Sequence, residues 1–338
     1  MIGIGLIGYG YWGPNLMRNF SRQDGCKVHW VVGRRESRLD PLRSQYPGVK
    51  VSTHFDDVVT DQSVDAVVIA TPVLSHYPLA LRALEAGKHV LVEKPMTSTV
   101  DEGQRLVDEA KRRGLVLMVD HTFVYTPAVR RIRDLIQHGQ IGDVLYYDST
   151  RINLGLFQND VNVLWDLAAH DLSILDYLID DVPTAVSAVG KCLVPNAPES
   201  IAYLTLFFGG PAIAHINVNW LAPVKTRRVI IGGSRKMLVY DELEPSEKIK
   251  IYDKGIDMVE TPEEGQMTRV NYRVGDMWAP ALDSTEALHA MAAHFLDCIR
   301  NRKPAETSGE MGLRVVKLLE AANRSMRQNG QSINISHS

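Results

Sequence analysis

Residues 2–13 limit the possible folds more than any other stretch of this chain. Ile2 to Ile7 is an apolar run of strand length, and it passes directly into Gly8-Tyr9-Gly10-Tyr11-Trp12-Gly13. Pro14 and an amphipathic segment, Leu16 to Phe20, follow. Three glycines spaced G-x-G-x-x-G, with a strand before and a helix after, each have a physical task. Gly8 permits a tight turn, Gly10 lets a ligand approach bare backbone, and Gly13 lets the helix pack closely on the strand. The helix then points unpaired N–H groups at an anion in the turn. A glycine-rich turn can exist without a ligand. This context is the one a dinucleotide pyrophosphate requires, so Gly8, Tyr9, Gly10, Tyr11, Trp12 and Gly13 are candidate cofactor-binding residues.

The second strand, Val28 to Val32, ends in Gly33-Arg34-Arg35. A dinucleotide site of this type often carries an acid here for the ribose hydroxyls. No acid occupies the tip, and Glu36 opens the next helix. Glycine leaves room for a 2′-phosphate, and Arg34 and Arg35 can bind it through forked, charge-assisted hydrogen bonds. NADP(H) is therefore favoured and NAD(H) remains possible. In the competing reading the arginines are a solvated pair and Glu36 binds the ribose.

Strand and helix then alternate with short connections. The pattern predicts a helix over Ser37 to Gln45, a strand over Val49 to Ser52, a short helix over Asp56 to Thr60, and an apolar strand over Ala66 to Ala70. Ser75 is placed to cap a helix from Tyr77 to Ala86, and Gly87 to end it. A strand over Val90 to Val92, a helix over Thr99 to Arg113 and a sixth strand over Leu115 to Val119 complete the series. Such alternation implies a parallel, doubly wound sheet covered on both faces. Ligands of these sheets bind beyond the carboxyl ends of the strands. Glu93-Lys94-Pro95 stands at such an end. Lys94 is thus a candidate catalytic and ligand-contacting residue, although a lysine after a strand is often no more than a solvated charge.

After Asp120 the rhythm changes. A helix over Ala128 to Gln137, a strand over Val144 to Thr150 and a helix over Val163 to Ile179 are followed by successive alternating strands between Ala185 and Tyr252. Two helices close the chain, near Ser284 to Arg300 and Gly309 to Gln328. The division expected is a dinucleotide-binding domain over residues 1–120 and an α+β domain over 121–338, whose successive strands suggest an antiparallel or mixed sheet with an exposed face that could join subunits into a homodimer or homotetramer. Residues 255–280 have little pattern and are expected to form an irregular loop over a site or interface. In the Val163 to Ile179 helix, Asp166 and His170 are four apart and share a face. A carboxylate one turn from an imidazole can fix its tautomer and raise its basicity, as acid/base work near neutral pH requires. An ordinary surface pair has the same spacing.

The 338 residues are 45% hydrophobic and 23% charged, with net charge −3. That balance gives no basic footprint for nucleic acid. No apolar run reaches the ~20 residues of a membrane span, and a cytoplasmic location is expected. Three widely separated cysteines, Cys26, Cys192 and Cys298, argue against a structural zinc or a disulfide framework, and no metal site is expected.

Together, the glycine turn, Ala70-Thr71-Pro72 with His76, Glu93-Lys94-Pro95, and Asp166 with His170 resemble the glucose–fructose oxidoreductase/inositol dehydrogenase (Gfo/Idh/MocA) family over essentially the whole chain. The segments Arg151-Ile152-Asn153-Leu154-Gly155 and Asp160 to Asp166 look like the branch that acts in sugar-nucleotide, polysaccharide and natural-product sugar biosynthesis. The resemblance implies a Rossmann domain, a substrate-binding α+β domain built on a large open, mainly antiparallel sheet, and reversible hydride transfer between a nicotinamide and a secondary carbinol of a sugar, nucleotide sugar or cyclitol. It implies Thr71, Pro72, His76 and Glu93 in the cofactor cleft and Lys94 near the nicotinamide. His170 would act as acid/base oriented by Asp166, with Lys94, Asp166, His170, Arg151 and Asn153 around the substrate, and the Lys94–Pro95 bond can be cis. Gly33-Arg34-Arg35 departs from relatives that carry an acid there. Some relatives are dinucleotide-dependent sensors or co-repressors, and others reduce non-sugar carbonyls such as tetrapyrroles or dihydrodiols. These stand as alternatives.

Overall fold

The computed structural model describes residues 1–155, 161–195, 197–259 and 269–335. They form two compact units: Met1–Thr126 with Thr285–Glu320, and Pro127–Ser284 with the chain from Ala321 onward.

The first unit is built on β1 (Ile2–Ile7), α1 (Gly13–Ser21), β2 (Cys26–Val32), α2 (Glu36–Gln45), β3 (Lys50–Ser52), α3 (Asp56–Val59), β4 (Ala66–Ile69), α4 (His76–Glu85), β5 (His89–Glu93), α5 (Val100–Arg113) and β6 (Leu117–Asp120). The strands run parallel in the order β3-β2-β1-β4-β5-β6. This is the doubly wound Rossmann order, with the crevice of the sheet where the order reverses beside β1. β1, β4 and β6 are buried at every position. That is why their sequences read as continuous apolar runs rather than alternations.

Local chemistry closes both ends of α5. Thr99 caps α5 by accepting the Glu102 amide, and Gly114 ends it at φ +67°. Such a cap stabilises a helix by about 1 kcal/mol. Ser75 does not cap α4. A short 3-10 turn, Val73–Ser75, feeds into the helix, so Ser75 already has helical dihedrals. Its hydroxyl bonds back to the Pro72 carbonyl and to Thr71 instead.

The second unit starts with α6 (Pro127–Gln137) and β7 (Val144–Leu154). A wide π turn, Leu164–Ala168, runs into α7 (Ala169–Leu178). Strands β8 (Pro183–Lys191), β9 (Ile201–Phe208), β10 (Ile213–Asn219), β11 (Leu221–Gly233), β12 (Met237–Asp241) and β13 (Ile249–Tyr252) follow. The stretch expected to be an irregular loop holds β14 (Gly255–Val259) and β15 (Arg269–Arg273), paired antiparallel, and β16 (Met277–Trp278). These short strands, set far apart, give no readable alternation; Met267 lies outside the described residues. The nine-stranded sheet has the order β16-β13-β12-β11-β7-β10-β9-β8-β17, where β17 is Ile333–Asn334. Its pairings are antiparallel except β7 with β10. One face is buried through Ala202, Leu204 and Leu206 of β9 and Ala214, Ile216 and Val218 of β10. The other exposes Tyr146, Ile213 and Phe207, which lie opposite one another across β7, β10 and β9.

The domain division differs from the sequence expectation at its end. α8 (Ala287–Asn301) and the first part of α9 (Gly309–Arg327) belong to the first unit. Phe295 of α8 meets Phe20 of α1 edge-on at 6.3 Å, and both rings are buried. Arg18 forms a two-pronged pair with Glu286 at 2.6 and 2.8 Å. Burial of each such ring stabilises the association by roughly 1.5–3 kcal/mol. Chain order shows none of this, because the partners are more than 260 residues apart.

Candidate active site

The glycine turn has the geometry of a phosphate cradle. Gly8 has φ +98°, and a side chain there would stand 2.3 Å from the Ala70 carbonyl oxygen. A side chain at Gly13 would reach the Gly8 carbonyl at 2.5 Å, whereas one at Gly10 would enter open space. Two glycines are thus demanded by the protein, and the third clears room for something else. Among the described residues the amides of Gly10, Tyr11 and Trp12 donate to no backbone carbonyl. α1 has no acid in its first turn, so the positive end of its dipole is not neutralised. Tyr11 and Trp12 are exposed on the rim and pack edge to face. Tyr9 is partly buried, and burial raises its phenol pKa. These features fit a dinucleotide pyrophosphate.

Arg34 and Arg35 follow β2 and are exposed. Among the described residues neither guanidinium has an ion-pair partner. Glu36 is the first residue of α2 and lies 3.8 Å from Arg43 of the same helix.

The carboxyl ends of β4, β5 and β6 bring together Thr71, Pro72, His76, Glu93, Lys94, Asp120 and His121. Glu93 and Asp120 are register partners on adjacent strands, and both are buried. Burial, then the Asp120 charge, holds Glu93 well above the usual carboxylate range. Burial also lifts Asp120 to about 6, against the opposing hydrogen bonds from Thr122 and Glu93. The Thr122 hydroxyl donates to Asp120 Oδ1 at 2.5 Å. Lys94 is half-buried, and its charge acts on Glu93, Asp120, His121 and His76. The Lys94–Pro95 bond is cis.

The imidazole of His76 is 1% exposed and lies between two carbonyl oxygens, Nδ1 at 2.9 Å from Pro95 and Nε2 at 2.7 Å from Thr71. It ties the chain after β4 to the chain after β5. Burial lowers its pKa, with the Lys94 charge acting the same way and the backbone bonds opposing. His121 is also 1% exposed, and neither of its ring nitrogens has a hydrogen-bond partner among the described residues. Burial and the Lys94 charge push its pKa down to about 3, so it is a neutral imidazole.

In the second unit, Asn162 caps the π turn, its side-chain oxygen accepting the Trp165 amide at 3.4 Å. Val163, Leu164, Trp165, Leu167, Ala168 and Ala169 are buried, while Asp166 and His170 are half-buried. The pair expected to share a face therefore marks the less buried side of the segment. Asp166 sits in the π turn rather than in regular α-helix. Wide turns of this kind occur frequently at functional sites. Asp166 Oδ2 accepts the indole N–H of the fully buried Trp220 at 3.0 Å.

Arg151 is 3% exposed on β7, and its Nε donates to Asp171 Oδ2 at 2.8 Å. Ser149 donates to the other Asp171 oxygen at 2.7 Å, and Glu242 accepts from both Arg151 and Arg227. Asp171 follows His170 directly, so this buried network fixes the first turn of α7 to the sheet. Asn153 is half-buried on β7. Asp160 lies outside the described residues.

Residues 2–121 match the GFO_IDH_MocA oxidoreductase family, NAD-binding Rossmann fold, and residues 129–239 match the GFO/IDH/MocA C-terminal domain. The chain belongs to the Gfo/Idh/MocA family. It is an NAD(P)-binding oxidoreductase. The scyllo-inositol 2-dehydrogenase (NADP(+)) IolW of Bacillus subtilis is 25% identical over 354 residues, covering 97% of this chain and 94% of that one. The dTDP-3,4-didehydro-2,6-dideoxy-alpha-D-glucose 3-reductase of Streptomyces violaceoruber is 48% identical over 114 residues, 34% of this chain and 33% of that one. GenD2 from gentamicin A biosynthesis, solved in complex with NAD, shares the fold at TM-score 0.82 and 22% identity, over 99% of this chain and 96% of that one.

Four participants in this Gfo/Idh/MocA chain escape a reading by motif: Asp120, His121, Asp171 and Trp220. Asp120 and His121 look like a polar turn after a strand. Their one local signal is their position, at the carboxyl end of a parallel strand adjacent to the one that carries Lys94. No helix among the described residues is long and apolar enough to cross a membrane, and no group of three metal-binding side chains occurs among them.

Proposed function

We propose that this oxidoreductase transfers hydride between NADP(H) and a secondary alcohol or ketone of a sugar, with a nucleotide-linked keto sugar favoured over a free cyclitol. The observation that carries the reading is Lys94, set beyond β5 among buried ionisable groups in the unit that holds the pyrophosphate turn. The substrate class rests on the 48% identical stretch shared with the 3-reductase. The cofactor choice rests on Arg34 and Arg35, which have no ion-pair partner among the described residues, and on Glu36, which is turned toward Arg43.

A bound nicotinamide supplies the hydride chemistry, and the protein has to orient the substrate and handle one proton. The turn from Gly8 to Gly13 holds the pyrophosphate, and Arg34 and Arg35 hold the 2′-phosphate. Thr71, Pro72, His76 and Glu93 shape the cleft. The Lys94 ammonium stabilises negative charge as it develops on the substrate oxygen. His170 takes the hydroxyl proton in oxidation and returns it in reduction. Asp166, held by Trp220, keeps the imidazole in the productive tautomer. Asn153 contacts the substrate. The exposed sheet face with Tyr146, Ile213 and Phe207 joins a second copy of the chain.

The test is a screen of keto sugars, nucleotide-linked keto sugars and inositols for oxidation of NADPH, followed by Lys94→Ala and His170→Ala on the best substrate. Both variants should bind NADPH and lose at least a hundredfold in turnover, the usual scale for a positioned acid/base or charge stabiliser. Near-normal turnover in His170→Ala removes it as the proton carrier. In fluorescence titrations Arg34→Ser/Arg35→Ser should weaken NADPH binding by about tenfold or more and leave NADH nearly unchanged. Equal effects on both cofactors would reject the 2′-phosphate role.

A further inference from the structure

The imidazole of His76 faces two acceptors, and a neutral ring has one proton to give. Nδ1 lies 2.9 Å from the Pro95 carbonyl oxygen, and Nε2 lies 2.7 Å from that of Thr71. A neutral imidazole donates to one of them and turns a lone pair on the other. Only the imidazolium donates to both. The ring is 1% exposed, so bulk water does not relieve the mismatch. Burial opposes the charged ring, and the Lys94 charge does the same, while the two carbonyls favour it. The geometry asks for a second proton that the surroundings withhold.

Thr71 connects this ring to the glycine turn. A side chain added at Gly8 would stand 2.3 Å from the Ala70 carbonyl oxygen and 3.0 Å from the Thr71 methyl carbon. The peptide that holds one side of the imidazole thus backs directly onto the turn, and the peptide on the other side follows Lys94. A pyrophosphate on that turn brings negative charge close to His76, and a nearby negative charge favours the imidazolium. We propose that His76 is a positioning residue that takes up a proton when the dinucleotide binds, and that the imidazolium then clamps Thr71 to Pro95. The inference deepens the reading of Gly8 to Gly13 as the pyrophosphate turn and rests on it. The charged and titratable groups on the surrounding elements are few. Lys94 acts on the ring from the end of β5. Tyr77 follows His76 on α4 and is hydrogen-bonded to Arg105 of α5. Glu93 and Asp120 stand at the ends of β5 and β6. All of these are in place before the cofactor arrives, and the charge that changes on binding is that of the phosphates.

Isothermal titration calorimetry of the full chain with NADPH at pH 6, in two buffers of different ionisation enthalpy, counts the protons taken up per cofactor bound. His76→Gln keeps one donor and one acceptor and cannot titrate. The wild type should take up roughly 0.3–1 proton more than this variant. The 2′-phosphate of NADPH also titrates near this pH, but it is common to both proteins and cancels in the difference. By the same linkage, NADPH affinity should fall about three- to tenfold more in the wild type than in His76→Gln between pH 6 and 8. Equal proton uptake in the two proteins overturns the proposal. If His76→Gln does not fold, nitrogen-15 spectra of histidine-labelled wild type serve. The His76 ring should show one protonated and one bare nitrogen without cofactor, and two protonated nitrogens with NADPH. A ring that stays in one state overturns the proposal. Absence of binding heat with both NADPH and NADH would reject the pyrophosphate turn and this inference with it, whereas binding without the proton difference rejects the inference alone.

Discussion

Trp220 donates its indole N–H to Asp166 across 3.0 Å, joining residues 54 apart in sequence. The bond fixes the carboxylate that is proposed to orient His170. Trp220→Phe keeps most of the buried ring and removes the donor. It should destabilise the fold by about 1 kcal/mol for the hydrogen bond, with a small addition for lost volume. Turnover should fall on the order of tenfold, and Trp220→Phe added to Asp166→Asn should lower it no further, because the two act as one unit. Additive losses in that double-variant cycle would separate the roles.

Arg151 invites two readings that one variant distinguishes. The resemblance places it around the substrate, yet its guanidinium is buried against Asp171 and Glu242. Arg151→Met strands two carboxylates, and loss of one member of a buried ion pair costs about 3–5 kcal/mol. Urea unfolding should show that loss, while NADPH affinity stays unchanged. If stability holds and only KM for the substrate rises, Arg151 is a substrate contact and not a brace for α7.

The outward row of Tyr146, Ile213 and Phe207 is an apolar strip on the exposed face of the large sheet, and Tyr203 and Val189, register partners on β9 and β8, are exposed on the same face. Such a strip marks a protein contact more often than bare surface. Light scattering on the wild type should give a dimer or tetramer, and Ile213→Asp/Phe207→Asp should reduce the mass while leaving circular dichroism intact. A monomeric wild type at high micromolar concentration would reject the contact.

The parts of this fold that could be read from the residues are those where local chemistry and tertiary structure agree. Strands β1, β4 and β5 are buried on both faces, so their apolar runs announce a parallel sheet. Gly8, Gly10 and Gly13 are spaced by the demands of one turn. Lys94 stands out because a charge and a proline end such a run abruptly. The unread parts depend on partners remote in sequence. Asp171 looks like a surface acid until Ser149 and Arg151 arrive from β7. Asp120 and His121 look like a solvated turn until Glu93 and Lys94 close over them. The last two helices look like part of a second domain until Phe295 is found against Phe20.

His121 gives the clearest dependence on pH. Its folded pKa, about 3, lies below the ordinary histidine value of 6.5, with burial the main cause. The folded state therefore binds fewer protons than the unfolded chain between those values. The contribution of His121 to stability is complete above pH 6.5 and is lost as pH falls toward 3. Asp120 acts with the opposite sign: its pKa is raised from 3.8 to about 6, so its contribution is complete below 3.8 and lost as pH rises through 6. His121→Leu removes the first effect and keeps the second. It also removes two ring nitrogens that have no partner among the described residues, so stability at pH 7 should be equal or higher. Between pH 7 and 5 the wild type should lose on the order of 1–2 kcal/mol more than the variant in urea titrations. Parallel losses in the two proteins would mean that His121 does not titrate in this way. A variant that is as stable as the wild type but turns over poorly would show that the buried imidazole is kept beside Lys94 for activity, against the interest of stability.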